Sequence, residues 1–420
     1  MYFSGNMMFV RFVYNFLITL SWIVLRIIAI FSTKMKLFVS GRMGVFKQLS
    51  TKTSKDDRFI WMHVASLGEY EQGLPILEKI KSDYPSHKIA LTFFSPSGYE
   101  VKKNTPIADI VVYLPMDTIS NTKKFLDMVK PELAIFIKYE IWPNYLYELR
   151  QRNIPTVLVS AIFSNRQIFF KPFGGFMRNS LKTFSHFFVQ DKNSKDLLSS
   201  IDFKNVTVSG DTRFDRVLEI LQRDNYLDFM SEFKKDNHCL VAGSTWPQDE
   251  EILVNWINIS SEQLKYVIAP HTIKEIHVER LKSSISKKSI CFSKIKGEDL
   301  SNFDVIVIDT IGLLTKIYSY ADIAYVGGAF ETGLHNTLEP AVYGIPVVIG
   351  PKYNGFKEAE DLVEEKGIQV IANNKEFNEL MKRFINDSDF RESTGKINSK
   401  YISKNIGATE QVMTYIESVL

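Results

Sequence analysis

Two carboxylates, one arginine and a glycine-rich turn hold most of the chemistry this sequence can offer. Glu69 follows Ser66-Leu67-Gly68, directly after the apolar run Phe59–Ser66. A tight strand-to-helix turn aims such a carboxylate outward, and the first turn of a helix favours its anion. Placed within reach of a hydroxyl it is a general base; the alternative is a helix-start glutamate bonded only to its own backbone, and the local sequence leaves both open. Glu140 stands in Tyr139-Glu140-Ile141-Trp142-Pro143-Asn144. Pro143 suits the first turn of a helix, which puts Glu140 at a strand end, orienting a bound molecule or supporting the fold. Arg213, in Gly210-Asp211-Thr212-Arg213-Phe214-Asp215, can balance charge on an anionic leaving group or pair with Asp211 or Asp215.

The glycine block lies at residues 327–341, Gly-Gly-Ala-Phe-Glu-Thr-Gly-Leu-His-Asn-Thr-Leu-Glu-Pro-Ala, after the apolar run Ala-Asp-Ile-Ala-Tyr-Val. A strand, glycines, then a helix start carrying His335, Asn336 and Glu339 is a layout for a phosphorylated nucleoside. Glycines let backbone N–H groups approach the phosphate, a helix start adds free donors, and Glu339 can accept from ribose hydroxyls. An ordinary strand–helix turn is the plainer alternative. His271 follows Pro270 at another strand end. Two histidines on different strands do not make a metal site, and no His-Glu-x-x-His pattern occurs. His63, inside the first run, reads as a buried, hydrogen-bonded histidine near the same edge.

The elements that must position these groups alternate. Runs at 59–66, 88–95, 110–114, 133–139, 156–161, 186–190 and 206–209 read as strands with helix-prone segments between them. A polar stretch at 221–237 interrupts the pattern. It restarts with 239–242, 266–269, 289–293, 305–308, 323–326, 347–349 and 369–371. Such alternation predicts two parallel sheets, each covered by helices on both faces. Ligand groups then collect in loops after strand C-termini: Ser66–Glu69, Tyr139–Asn144, Gly243-Ser244-Thr245-Trp246, Pro270-His271 and Asp309-Thr310-Ile311-Gly312. The expected division is a membrane anchor and juxtamembrane segment at 1–45, a first Rossmann-like domain at 46–225 and a second at 226–420.

The bulk figures bound the class. At 420 residues, with 45% hydrophobic and 24% charged residues, the chain is globular and long enough for two domains. A net charge of +3 gives no argument for nucleic acid. Two cysteines, Cys239 and Cys291, build neither a disulfide framework nor a thiolate metal site. Residues 9–31 are apolar apart from Arg11, Asn15 and Arg26 and long enough to span a bilayer, with the two arginines snorkelling at its ends. Lys34, Lys36, Arg42 and Lys47 follow, which puts the globular part on the cytoplasmic side. A helix lying in the membrane surface is the competing form.

Taken together the blocks resemble the Kdo transferases, the 3-deoxy-D-manno-octulosonic acid transferases. They are His63-Val64-Ala65-Ser66-Leu67-Gly68-Glu69, Tyr113-Leu114-Pro115, Glu140 to Asn144, Gly243-Ser244-Thr245, Asp309 to Gly312, and Gly327-Gly328 through His335-Asn336-Thr337-Leu338-Glu339-Pro340, in order over nearly the whole chain. The resemblance implies an α/β fold of the GT-B glycosyltransferase type, two Rossmann-like domains facing a cleft, behind an N-terminal anchor helix. It implies CMP-Kdo as donor, a lipid A precursor as acceptor, inversion at the anomeric centre, no cofactor and no metal, at the cytoplasmic face of the inner membrane among membrane lipids. By that likeness Glu69 is the base, and Glu140 and Arg213 support the transition state. Pro270, His271, Ile311, Gly312, Leu313, Asn336, Thr337, Leu338 and Glu339 match CMP-contacting segments, with Ser244, Thr245, Gly328 and His335 beside them. Three positions depart from the family pattern: His271 stands where Arg is usual, Arg213 where Lys is usual, and Leu313 where Glu is usual. A UDP-sugar-dependent transferase acting on another membrane lipid, a sugar-nucleotide epimerase and a non-catalytic membrane scaffold are the competing readings.

Overall fold

The strands form where continuous runs of β-branched and aromatic residues permit burial on both faces, as parallel sheets require. A computed structural model describes residues 2–331 and 333–420, with the side chains of 2–7 left aside. It divides into two units, one running to Arg216 and including Ile406–Leu420, the other Val217–Asn405. The division falls at Arg216 rather than at 225, inside the helix Arg213–Gln222.

The first unit holds strands β1 (Phe59–Val64), β2 (Lys88–Phe93), β3 (Ile110–Tyr113), β4 (Pro131–Ile137), β5 (Thr156–Ala161), β6 (His186–Val189) and β7 (Val206–Val208). They pair in the order β3-β2-β1-β4-β5-β6-β7, with parallel ladders such as Trp61 opposite Ala90 on one side and Ala134 on the other. The order reverses at β1 and β4, so the crevice at a doubly wound sheet's switch point opens beyond their C-termini. Glu69 follows β1 and Glu140 follows β4. One face of the sheet packs on Phe125, Tyr145, Leu149 and Leu181. The other packs on Leu74, Leu77 and Ile80, together with Val412, Met413 and Ile416 of the last helix, Ala408–Val419. Asp215 holds that helix in the unit, accepting from the backbone N–H groups of Gly407 (2.6 Å) and Thr409 (2.7 Å).

The second unit repeats the plan with β8 (His238–Thr245), β9 (Leu264–Pro270), β10 (Ser289–Cys291), β11 (Val305–Val307), β12 (Ile323–Val326), β13 (Val347–Ile349) and β14 (Ile368–Val370). The order is β10-β11-β9-β8-β12-β13-β14, and the reversal lies at β8 and β12. The Ser244–Trp246 loop and the glycine block follow those two strands. Cys239 and Cys291 are free and buried in this core.

The N-terminal helix Tyr2–Ile28 precedes two shorter ones, Thr33–Met43 and Val45–Lys52. Its stretch Met8–Ile28 is long and apolar enough to cross a membrane. One expectation about the cations here is corrected, and a second cation is spent inside the first unit. Arg11 does not snorkel: its guanidinium lies 3.8 Å from the centre of the Tyr147 ring and donates to Asn144 Oδ1 at 3.1 Å. Arg42 is not available to lipid phosphates: it is buried and donates to the carbonyls of Leu114, Phe38 and Phe94 at 2.9, 3.0 and 2.6 Å. Burial pushes its guanidinium down to about 9.

Candidate active site

In the first unit Glu69 is the third residue of the helix Leu67–Asp83. The residue is only 7% exposed, and its carboxylate accepts a short hydrogen bond from the Ser66 hydroxyl. Glu140 is held from two sides. His63 Nε2 lies 3.2 Å from its Oε2, and Trp142 Nε1 donates to the same oxygen at 3.0 Å. One proton arrangement links the chain: Trp61 Nε1–H to Thr92 Oγ1 (2.9 Å), Thr92 O–H to His63 Nδ1 (2.8 Å), and His63 Nε2–H to the Glu140 carboxylate. His63 is therefore the buried, satisfied histidine its position implies, and its outer nitrogen aims Glu140. Burial first, then the charges of Glu69 and Glu140, raise the Tyr139 phenol above its ordinary range.

Arg213 makes the salt bridge that was its plainer reading. Its Nη2 lies 2.9 Å and its Nε 3.0 Å from Asp211 Oδ2. Gln72, one turn beyond Glu69 on the same helix, donates to that oxygen at 2.9 Å, and Thr212 Oγ1 donates to the Gln72 carbonyl at 2.5 Å. The guanidinium is thus tied to the helix of Glu69 while its side chain stays 29% exposed. Ser160, at the end of β5, carries a left-handed φ of 51° and touches Thr212 Oγ1 at 3.0 Å. Strained backbone of this kind gathers at ligand edges.

In the second unit Asp249 fastens the glycine turn. Buried beneath it, the carboxylate accepts from Gly328 N–H (2.9 Å), Trp246 N–H (2.9 Å) and Tyr325 O–H (2.7 Å), and burial pushes it above the usual carboxylate range. Glycine is required at two positions. A Cβ on Gly327 would lie 2.4 Å from the Ser244 carbonyl oxygen; one on Gly328, whose φ is +97°, would lie 2.3 Å from that of Gly333. Trp246 stacks on His271 with ring centres 4.6 Å apart, and His271 faces His335 at 4.8 Å. Trp246 Nε1 donates to His335 Nε2 at 3.0 Å, so a neutral His335 carries its proton on Nδ1. Burial, then the neighbouring His271, lowers its affinity for a second proton.

Asn336 donates to Glu339 Oε1 at 3.1 Å and accepts from Leu338 N–H at 3.1 Å. Thr315 Oγ1 reaches Glu339 Oε2 at 3.4 Å, which brings the segment after Ile311-Gly312-Leu313 to Glu339. Gly312 has a φ of +96°, and Ile311 is 83% exposed at the loop tip. The helix expected after the glycine block spans only Leu338–Ala341. Four residues carry little macrodipole. Pro270, Thr245 and Leu338 are buried, with Thr245 Oγ1 donating to Glu250 at 3.1 Å. Thr337 Oγ1 is buried without a partner. A cavity of about 550 Å³ elsewhere in the unit, lined by Glu250, Asn255, His277 and Arg280, includes none of the expected residues.

Each unit thus gathers its polar residues at the switch point of its sheet. Sequence reasoning singled out the carboxylates and glycines and passed over two of their holders, Gln72 and Asp249. One signal existed. Asp249 stands three residues after Trp246, with Pro247 between, the spacing of a capping carboxylate.

Two seven-stranded parallel sheets with polar residues at their switch points are the architecture of the GT-B fold. The sequence model of the 3-deoxy-D-manno-octulosonic-acid transferases (kdotransferases) matches residues 39–216. A 3-deoxy-D-manno-octulosonic acid transferase of Chlamydophila psittaci is 30% identical over 321 residues, covering 72% of this chain and 71% of its own. One of Haemophilus influenzae is 27% identical over 376 residues, 86% of this chain and 87% of its own. Among solved structures, a UDP-GlcNAc 2-epimerase of Neisseria meningitidis bound to UDP-GlcNAc superposes with a TM-score of 0.59 at 14% identity, over 86% of this chain and 100% of that one. That likeness is one of fold alone. The chain belongs to the 3-deoxy-D-manno-octulosonic acid transferase family.

Proposed function

We propose that this protein transfers Kdo from CMP-Kdo to a lipid A precursor in lipopolysaccharide biosynthesis, with inversion at the anomeric carbon. One observation carries the reading: kinship to a transferase of this name extends over 86% of the chain, more than either unit alone can supply. Glu69 takes the proton of the acceptor hydroxyl as its oxygen bonds to the anomeric carbon and the bond from that carbon to the CMP phosphate breaks. Burial beside Ser66 fixes the direction of the carboxylate. Glu140, aimed by His63 and Trp142, faces positive charge developing on the sugar, and Arg213, steadied by Asp211, offers a cation to the departing phosphate. In the second unit the His271–His335 pair meets the nucleotide phosphate, and Glu339, braced by Asn336, accepts from the ribose. His271 in place of the arginine implied by the resemblance weakens the fixed charge at this point.

The apolar N-terminal helix supports a position at the inner membrane, with the units on the cytoplasmic side, where a lipid acceptor is concentrated in two dimensions. The test is incubation of the purified full chain with CMP-Kdo and a lipid A precursor, followed by mass measurement of the lipid. A product heavier by Kdo residues is expected; unchanged lipid with intact protein refutes the reading. Tighter binding of UDP than of CMP would transfer the argument to a UDP-sugar enzyme.

A further inference from the structure

We propose that the N-terminal helix lies in the plane of the membrane, one side against the first unit and the other in the acyl chains of one leaflet, and does not span the bilayer. Nothing in the transfer reading requires this. Its residues sort by helical phase. The inward positions, 11, 14, 15, 18, 22, 25 and 29, recur every three or four residues. Arg11 and Asn15 bond Asn144, the latter accepting from its Nδ2 at 3.1 Å, and Tyr14 O–H donates to the buried Asp117 at 2.7 Å. Ile18, Trp22, Leu25 and Ala29 pack with Phe38, Val39, Phe94 and Met116. The exposed positions Phe9, Phe12, Phe16, Leu20, Ile23 and Ile27 share the opposite side at about 100° per residue.

The contacts with the globular unit therefore run along the helix from Arg11 to Ala29, about 27 Å at 1.5 Å per residue. A spanning helix would drag Asp117, Asn144 and the helix Thr33–Met43 into hydrocarbon, or break every one of these bonds. Burying such groups in lipid is costly. Lying flat, the helix sinks about 5–10 Å into the headgroup–acyl boundary and keeps its docked side. Charge fits the same occupant: Arg26, Lys34 and Lys36 are exposed, and Arg26 falls about 100° from the centre of the apolar side, at headgroup level for a leaflet with anionic lipids. Phe173, 77% exposed, extends this surface from the loop before the helix Gly175–Leu181, whose Phe176 ring packs on Tyr14 at 5.6 Å.

The test is nitroxide depth scanning of the full chain in phosphatidylethanolamine–phosphatidylglycerol vesicles. Both buried cysteines are replaced by alanine and single labels placed at exposed positions 9, 12, 16, 17, 19, 20, 23, 24, 26 and 27. An in-plane helix gives a depth that oscillates with a period of about 3.6 residues, with 9, 16, 20 and 27 equally deep and 19 and 26 shallow. A depth that rises smoothly to a maximum near 17–20 and falls at both ends overturns the proposal, as does absence of any label from the lipid. The profile needs neither donor nor acceptor, so its outcome is independent of the transfer assay. Vesicle flotation of a Phe173→Asp variant serves as a second reading: a several-fold loss of binding is expected, and unchanged binding removes that loop from the surface.

Discussion

Replacing Glu69 by glutamine tests the centre of the reaction scheme with almost no change of shape. The amide keeps an oxygen that accepts from Ser66, so the loop geometry persists. What disappears is the basic site and one negative charge in the first turn of the helix. Losing that charge costs about 0.3–1 kcal/mol of stability, which lowers Tm by about 1–4 °C in a unit of this size. Losing the base costs about 10²–10⁴ in rate, about 2.7–5.4 kcal/mol at 1.36 kcal/mol per decade. Two effects so different in size separate cleanly. CMP affinity serves as the control, because the expected CMP residues all lie in the other unit. Single-turnover transfer with saturating donor, calorimetric CMP binding and a thermal melt on the same preparation make the assay. The expected result is transfer reduced at least a hundredfold, CMP binding unchanged and the melt nearly so. Transfer within threefold of the parent removes Glu69 from the chemistry, and joint loss of transfer and CMP binding makes it a structural residue. Ser66→Ala should retain the base but loosen its aim, with a loss of about tenfold, near the 1.5 kcal/mol typical of a hydrogen bond to a charged group.

Three other outcomes follow from the same geometry. His63→Leu removes a donor from Glu140 and should lower kcat by about 10–100-fold, the value of a charge-assisted hydrogen bond, while His63→Gln recovers part of it; equal loss in both variants would make His63 a packing residue. Gly328→Ala must put a Cβ against the Gly333 carbonyl at a φ of +97°, so CMP affinity should fall at least about tenfold, with a stability cost of about 1–3 kcal/mol; unaltered calorimetric binding would dissociate the turn from the nucleotide. Asp117 is pushed up from 3.8 to about 6 by burial, so the native state binds the extra proton between these values. Its contribution is fully present below pH 3.8 and lost as pH rises through about 6, about 3 kcal/mol in all. Urea denaturation followed by tryptophan fluorescence should show this slope, and Asp117→Asn should flatten it; an unchanged slope refutes the assignment.

Every strand was legible as a strand, because parallel strands covered on both faces must be apolar without interruption, and their boundaries differ from the expected ones by at most a few residues. The positions of Glu69, Glu140 and the glycine turn were legible for a related reason: in a doubly wound sheet, loops after strand C-termini are where polar residues need not pay for burial. What escaped the sequence is pairing over long separations. Asp215 binding the start of the last helix joins residues nearly two hundred positions apart, and no local pattern announces it. The division at 221–237 was drawn from polarity, whereas packing draws it inside an amphipathic helix.

The same limit explains the N-terminal segment. Arg11, Asn15 and Arg26 look alike in sequence, three polar interruptions of an apolar run. In the structure only Arg26 remains exposed, while Arg11 and Asn15 are the groups that grip Asn144. Arg42 follows the same logic further in: a cation with three carbonyl acceptors and aromatic rings around it is a clamp, and its charge is spent inside the protein. Hydropathy sums these residues as penalties against insertion. Their phase on the helix reverses that sign, because polar groups that share one side with the docking partners leave the other side more continuously apolar than the run as a whole. A helix read only by its average therefore reads as a span, and read by its faces it reads as a raft.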